Sequence, residues 1–175
     1  MKQIVLKYGF IAGGMLAGMM VVQMAFMDQI GFDMGAVVGY TTMAIAGLMI
    51  YFGIRSYRDS IGGGVVSFGR AFRVGITIVA ISTTCYVATW QVVYYKFMPD
   101  FGEKYSAHVL AKAKADGKSE AELEQQRVEM EEFKEMYKNP LVNIGFTFLE
   151  PLPVGLLMTL LSAGLLRRDA KRAGA

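Results

Sequence analysis

The chain has 175 residues, 54% hydrophobic and 19% charged, with a formal net charge of +3; that is length for one domain and too little charge for an ordinary soluble one. Its cations sit at the ends of apolar runs and not on a hydrophilic face interleaved with aromatics, which argues against nucleic acid and for a phospholipid bilayer as partner. Cys85, the only cysteine, lies inside an apolar run, so an internal disulfide and a cysteine-built metal site are excluded.

A helix crosses the roughly 30 Å hydrocarbon core with about 20 apolar residues, each rising about 1.5 Å. Residues 8–27 form the first such segment. Lys2 and Lys7 precede it as in a signal peptide, but the run outlasts a signal core of about 7–15 residues and its end, Met24-Ala25-Phe26-Met27, offers no small-x-small cleavage site. It is expected to remain as a membrane helix. Gly9 with Gly13, Gly14 with Gly18, and Gly31, Gly35 and Gly39 recur at the four-residue spacing that lets membrane helices approach closely, within one chain or between chains.

A short link carrying Asp28 and Asp33 leads to the second segment, residues 34–54, which holds no charge. The next link carries Arg55, Arg58, Arg70 and Arg73 and the run Gly62-Gly63-Gly64. It lacks the Gly-Lys-Ser/Thr ending of a phosphate-binding loop and follows no strand, so it reads as a tight turn with Ser67 capping the third helix. The four arginines are candidate lipid-headgroup contacts, able as a group to select an anionic lipid. The third segment, residues 71–95, ends in Trp90, Tyr94 and Tyr95, where amphipathic rings favour the headgroup level.

Residues 99–138 change character and are dense in both charge signs. Phe101, Tyr105 and Val109 recur every four residues, and Leu123, Met130, Phe133 and Tyr137 follow a second stripe, so each half is an amphipathic helix with one apolar seam. Asp116-Gly117 stops the first half, and Ser119 with Glu122 makes a capping box for the second. An antiparallel helical hairpin follows. His108, without a second histidine or cysteine nearby, reads as a solvated side chain and not a metal ligand. Asn139-Pro140 ends the hairpin, because the residue before proline avoids the helical region.

Within the fourth segment, residues 141–166, Glu150 stands about 14 Å below the outer end at about 1.5 Å per residue. A charge there costs about 2.5–3.5 kcal/mol on insertion scales, so the side chain is expected to face the bundle and find a partner. Thr83, Thr84 and Tyr86 lie at similar depth, with Thr147 and Gln23 nearer the outer surface. Glu150, Thr147 and Gln23 thus make a candidate intramembrane polar site for a proton or cation; the alternative is a protonated, hydrogen-bonded strut that locks packing. Pro151 and Pro153 free carbonyls about one turn earlier, which serves either role.

Lys2 and Lys7, the four arginines of the second link, and Arg167, Arg168, Lys171 and Arg172 place ten cations on one side, opposed there by Asp59 and Asp169. That side is expected to be the cytoplasm, holding both termini. The fold class is therefore an all-α membrane protein of four transmembrane helices, with an extramembrane helical hairpin between the third and fourth. No cofactor is implied, and no nucleophile–base pair or metal set supports an enzyme. The leading expectation is a non-enzymatic protein of assembly, partner binding or envelope integrity, with the hairpin seam docking a protein partner or a second copy. The alternative is a small proton- or cation-coupled transporter or channel-like protein built on Glu150, for which four helices give little wall, so that transport is expected to require an oligomer.

Several stretches resemble a known family: Lys7-Tyr8-Gly9, Tyr51-Phe52-Gly53-Ile54-Arg55-Ser56-Tyr57-Arg58-Asp59, Gly62-Gly63, Ser67-Phe68-Gly69, Ala71-Phe72, Asn139-Pro140, Thr147-Phe148-Leu149-Glu150 and Pro153-Val154-Gly155. Nearly the whole chain is similar to bacterial membrane proteins grouped as domain of unknown function 4199. The resemblance implies a four-helix protein of the bacterial inner membrane and assigns no activity and no residue role.

Overall fold

The computed structural model describes residues 1–168. Seven helices follow in order: α1 (Lys2–Ala25), α2 (Met27–Ser60), α3 (Phe68–Lys96), α4 (Phe101–Ala115), α5 (Glu120–Lys138), α6 (Pro140–Leu149) and α7 (Leu152–Leu166). The first three, and α6 with α7 taken together, are each long and apolar enough to cross a membrane. Phe10, Val37, Ile45, Leu157 and Leu165 are exposed on their outer faces. Apolar exposure on that scale is unfavourable in water and ordinary in lipid, so the chain is a multi-pass membrane protein.

The helices outrun the apolar segments, because backbone hydrogen bonding continues into the headgroup layer where hydropathy no longer marks it. Between α1 and α2 there is almost no loop: the chain turns at Phe26 and helix resumes at Met27. The break that separates this first turn from the rest of α2 is Gly31, with φ 68° and ψ 172°, a conformation that side chains with a Cβ rarely adopt. The fourth span is divided at Glu150-Pro151, where Pro151 has no N–H to continue the ladder.

α3 is the central element, packed on α1, α2 and α7, while α6 rests mainly on α3 and α5. Three core layers stack along the bundle. Val5, Ile54, Val66, Ala71 and Leu166 fill the end that carries the N-terminus; Ala12, Leu16, Met43 and Ala46 fill the middle; Met20, Trp90, Tyr94, Met98 and Tyr137 fill the far end. A Cβ on Gly9 would stand 2.8 Å from Ile81, and one on Gly13 would stand 2.7 Å from the Cys85 Cβ, so these two glycines let α1 lie against α3. Gly14 and Gly18 share the spacing but meet nothing within 4 Å.

The first layer gathers the positive ends. Val66 and Arg168 exchange backbone hydrogen bonds of 3.2 and 3.0 Å, tying the α2–α3 link to the end of α7. Ser67 occupies the N-cap of α3, but its hydroxyl makes no capping bond. Lys2, Lys7, Arg55, Arg58, Arg70, Arg73, Arg167 and Arg168 therefore share one end, with Asp59 paired to Arg58 at 2.7 Å and to Arg55 at 3.7 Å. Asp169, Lys171 and Arg172 lie outside the described residues.

At the opposite end α4 and α5 form the helical hairpin. Gly117, at φ 78°, makes the turn, and the Ser119–Glu122 capping box opens α5. The Ser119 hydrogen bonds hold the Glu122 carboxyl below the ordinary glutamate range. The hairpin does not stand free. Tyr137 accepts a hydrogen bond of 2.9 Å from the Trp90 indole, and Phe133 and Tyr137 pack against Phe146. On the other arm, Phe101, Tyr105 and His108 pack on Phe32, while the Lys112 ammonium lies 2.8 Å from Asp33. The Asp33 carboxylate holds the Lys112 amine above its ordinary value.

Two expectations change as a result. His108 is not simply solvated: its ring leans on Phe32 and its Nε2 lies 3.4 Å from Asp33. Trp90 and Tyr94 are buried under the hairpin, and only Tyr95 of the three rings is exposed.

Candidate intramembrane binding site

Glu150 sits where the fourth span breaks, as the C-cap of α6. Its Oε2 accepts a hydrogen bond of 2.8 Å from the Tyr86 hydroxyl on α3. Of the side chains at similar depth, Tyr86 is thus the partner. Thr83 is buried and lines a separate, smaller cavity, and Thr84 bonds back to the Ala80 carbonyl.

Glu150, Tyr86, Thr147 and Gln23 line one cavity of about 300 Å³. α1 contributes Leu16, Met19, Met20 and Gln23 to its wall; α2 contributes Gly35, Gly39, Tyr40 and Met43; α3 contributes Tyr86 and Trp90. Thr147 and Glu150 come from α6, and the hairpin supplies the roof through Phe101, Tyr105 and Tyr137. The three residues singled out in sequence come together here, from two helices far apart in the chain. The arginines do not: Arg55, Arg58, Arg70 and Arg73 belong to the opposite end of the bundle.

The polar groups of this wall are mostly engaged. Gln23 Nε2 donates to the Gly35 carbonyl at 2.8 Å and so bridges α1 to α2 across the Gly31 break. Thr147 Oγ1 donates to the Asn143 carbonyl at 2.8 Å, and Trp90 donates to Tyr137. Burial pushes the Tyr137 phenol above its ordinary value, which keeps it neutral as the acceptor. Among the described residues, no basic side chain lines the cavity and no ion pair reaches Glu150.

With that geometry in view, the sequence profile of the family described as "Protein of unknown function (DUF4199)" matches residues 7–168. The chain belongs to DUF4199. The match spans every wall of the cavity, so the DUF4199 unit includes the helical hairpin as well as the four spans. No curated protein and no solved structure matches the chain.

Two features of this DUF4199 site escape a reading of the sequence. Asn143 is fully buried and its Oδ1 accepts a bond of 2.7 Å from Gln91 Nε2, joining α6 to α3 one turn outward of Thr147. The signal for it exists, since 143, 147 and 150 share one helical face. The aromatic roof has no such signal, because it depends on how the hairpin folds back. Among the described residues, no group of three His, Cys, Asp or Glu side chains is placed to hold a metal ion.

Proposed function

We infer that this DUF4199 protein is a non-enzymatic, multi-pass component of a bacterial inner membrane that binds a small ligand in the hairpin-capped chamber. The observation that carries the reading is the convergence of Gln23, Tyr86, Thr147 and Glu150 on one cavity of about 300 Å³, walled otherwise by methionine and aromatic side chains. A few placed polar groups in an apolar enclosure are the usual makeup of a ligand site. Docking of a partner helix on the hairpin seam has less support, since Phe101, Tyr105, Phe133 and Tyr137 already pack on one another and on the bundle.

Orientation rests on charge. The end with eight described cations faces the cytoplasm with both termini, and the hairpin faces outward. In spheroplasts of a Cys85→Ser background, a membrane-impermeant maleimide is expected to label Glu124→Cys in the hairpin and to spare Ser60→Cys. The opposite pattern inverts the orientation.

Gly39 lines the chamber and has open space where a Cβ would go, so the ring of Gly39→Phe is placed to occupy the cavity. Protein released gently from native membranes is expected to carry a bound small molecule by native mass spectrometry, and folded Gly39→Phe is expected to lose it. Identical spectra for the two proteins sink the binding reading. Proton- or cation-coupled transport is the second reading, favoured by the broken helix at Glu150, a feature that transport sites use to expose polar groups at mid-depth. Proteoliposomes that bind ligand without accumulating it discard that second reading.

A further inference from the structure

Resting on the ligand-binding reading above, we propose that the chamber takes an organic monocation, an ammonium centre carried on a small apolar body. Tyr86, Trp90 and Thr147 each donate to an oxygen of the protein, and Gln23 gives one of its two amide N–H groups to Gly35, which leaves its second N–H and the Tyr40 and Tyr105 hydroxyls as neutral donors on the wall. On Glu150, Oε2 takes the Tyr86 hydroxyl, whereas no bond of the protein among the described residues engages Oε1. The one carboxyl on the wall keeps an oxygen free to accept, so the complementary ligand brings a donor or a positive charge. An anion would meet the Glu150 carboxyl with no basic side chain among the described lining residues to offset it.

Charge balance points the same way. Glu150 is the sole Asp, Glu, Lys or Arg among the lining residues, and among the described residues no cation pairs with it. A cationic ligand supplies the missing partner at a point within the fourth membrane span. The rest of the wall fits an organic cation better than a metal ion. Tyr40, Tyr86 and Trp90 line the chamber with aromatic rings, a residue type that attracts cations through its quadrupole, and the thioethers of Met20 and Met43 are polarizable. Hard cations instead ask for about six oxygen ligands, which one carboxylate in such a wall does not provide. At about 300 Å³ the space is at the small end of ligand pockets, so the body on the cation is compact.

An ammonium group reaches such a chamber either as a free organic cation or as a lipid headgroup. The two sources share the recognition chemistry and differ in what competes.

The test uses full-length protein reconstituted in phosphatidylglycerol vesicles. Trp90, the only tryptophan, lines the chamber and reports occupancy by its fluorescence. Benzyltrimethylammonium is compared with neopentylbenzene, its neutral carbon isostere. The wild type is expected to bind the cation about tenfold tighter or more than the isostere, and Glu150→Gln to lose that preference. Equal affinity for the two probes overturns the proposal and leaves the chamber standing as an apolar site. If neither probe is seen and Gly39→Phe matches the wild type, both the proposal and the binding reading fall. Should Glu150→Gln not fold by circular dichroism, the comparison of the two probes on the wild type still decides. Displacement of benzyltrimethylammonium on adding phosphatidylethanolamine assigns the site to a headgroup, and no displacement assigns it to a free cation.

Discussion

Trp90→Ala is expected to release the α4–α5 hairpin from the bundle and to lower stability by about 3–5 kcal/mol, the usual cost of emptying a buried aromatic site. Trp90 is 7% exposed and meets the hairpin in two ways. Its indole donates to Tyr137 on α5, and its ring stands edge-on to Phe101 on α4, with centroids 4.9 Å apart. Removing it severs contact with both arms at once and leaves the Tyr137 oxygen without its donor. Trp90→Phe keeps most of the ring and loses only that donor, for which a cost of about 1 kcal/mol is expected. The readouts are thermal unfolding in detergent and trypsin cleavage at Lys114 and Lys118, near the hairpin tip. The alanine variant is expected to be cut faster throughout α4 and α5, with the four spans still intact. A cleavage pattern unchanged from wild type means that the hairpin is held by something else, the Asp33 contacts with His108 and Lys112 being the nearest alternative.

How far the sequence foretells this architecture depends on whether the signal is local. Four apolar stretches are local, and so are the turn at Asp116-Gly117, the Ser119–Glu122 box and the Asn139-Pro140 stop; the structure contains each of them. The seams of α4 and α5 announce apolar faces without saying what covers them. Three occupants satisfy the same stripe: the opposite arm, the bundle or another molecule. Here the opposite arm and the bundle do, and Trp90 and Tyr94 change from headgroup anchors into core for that reason. Glu150 is legible because a carboxyl in an apolar run is out of place in lipid. Its bond to Tyr86 is legible only as one of three candidates at that depth, with Thr83 and Thr84, since a helix apolar all round carries no mark of which face turns inward. The same blindness separates Gly13 from Gly14: both belong to pairs at four-residue spacing, yet only Gly13 meets α3.

The largest packing effect is expected at a glycine that no spacing rule singled out. A Cβ on Gly75 would stand 2.6 Å from the Thr159 Cγ2 on α7 and 3.1 Å from the Ile50 Cγ2 on α2. Thr159 is fully buried and Ile50 is 3% exposed, so neither has space to retreat. In a membrane, apolar burial does little to drive helices together, and close backbone approach carries more of the association. Gly75→Val is therefore expected to push α3 away from α2 and α7 together, at about 3 kcal/mol, the upper end of ordinary overpacking costs. Gly18→Val adds the same atoms where nothing lies within 4 Å and is expected to change stability by about 0.5 kcal/mol or less. The cause is isolated by a smaller pair. Gly75→Ala alone is destabilising, and adding Thr159→Ser removes the Cγ2 that blocks it, so the double variant is expected to recover more than half of the loss. Unfolding in detergent measures all four proteins, and strictly additive effects of Gly75→Ala and Thr159→Ser would place the strain somewhere other than this contact.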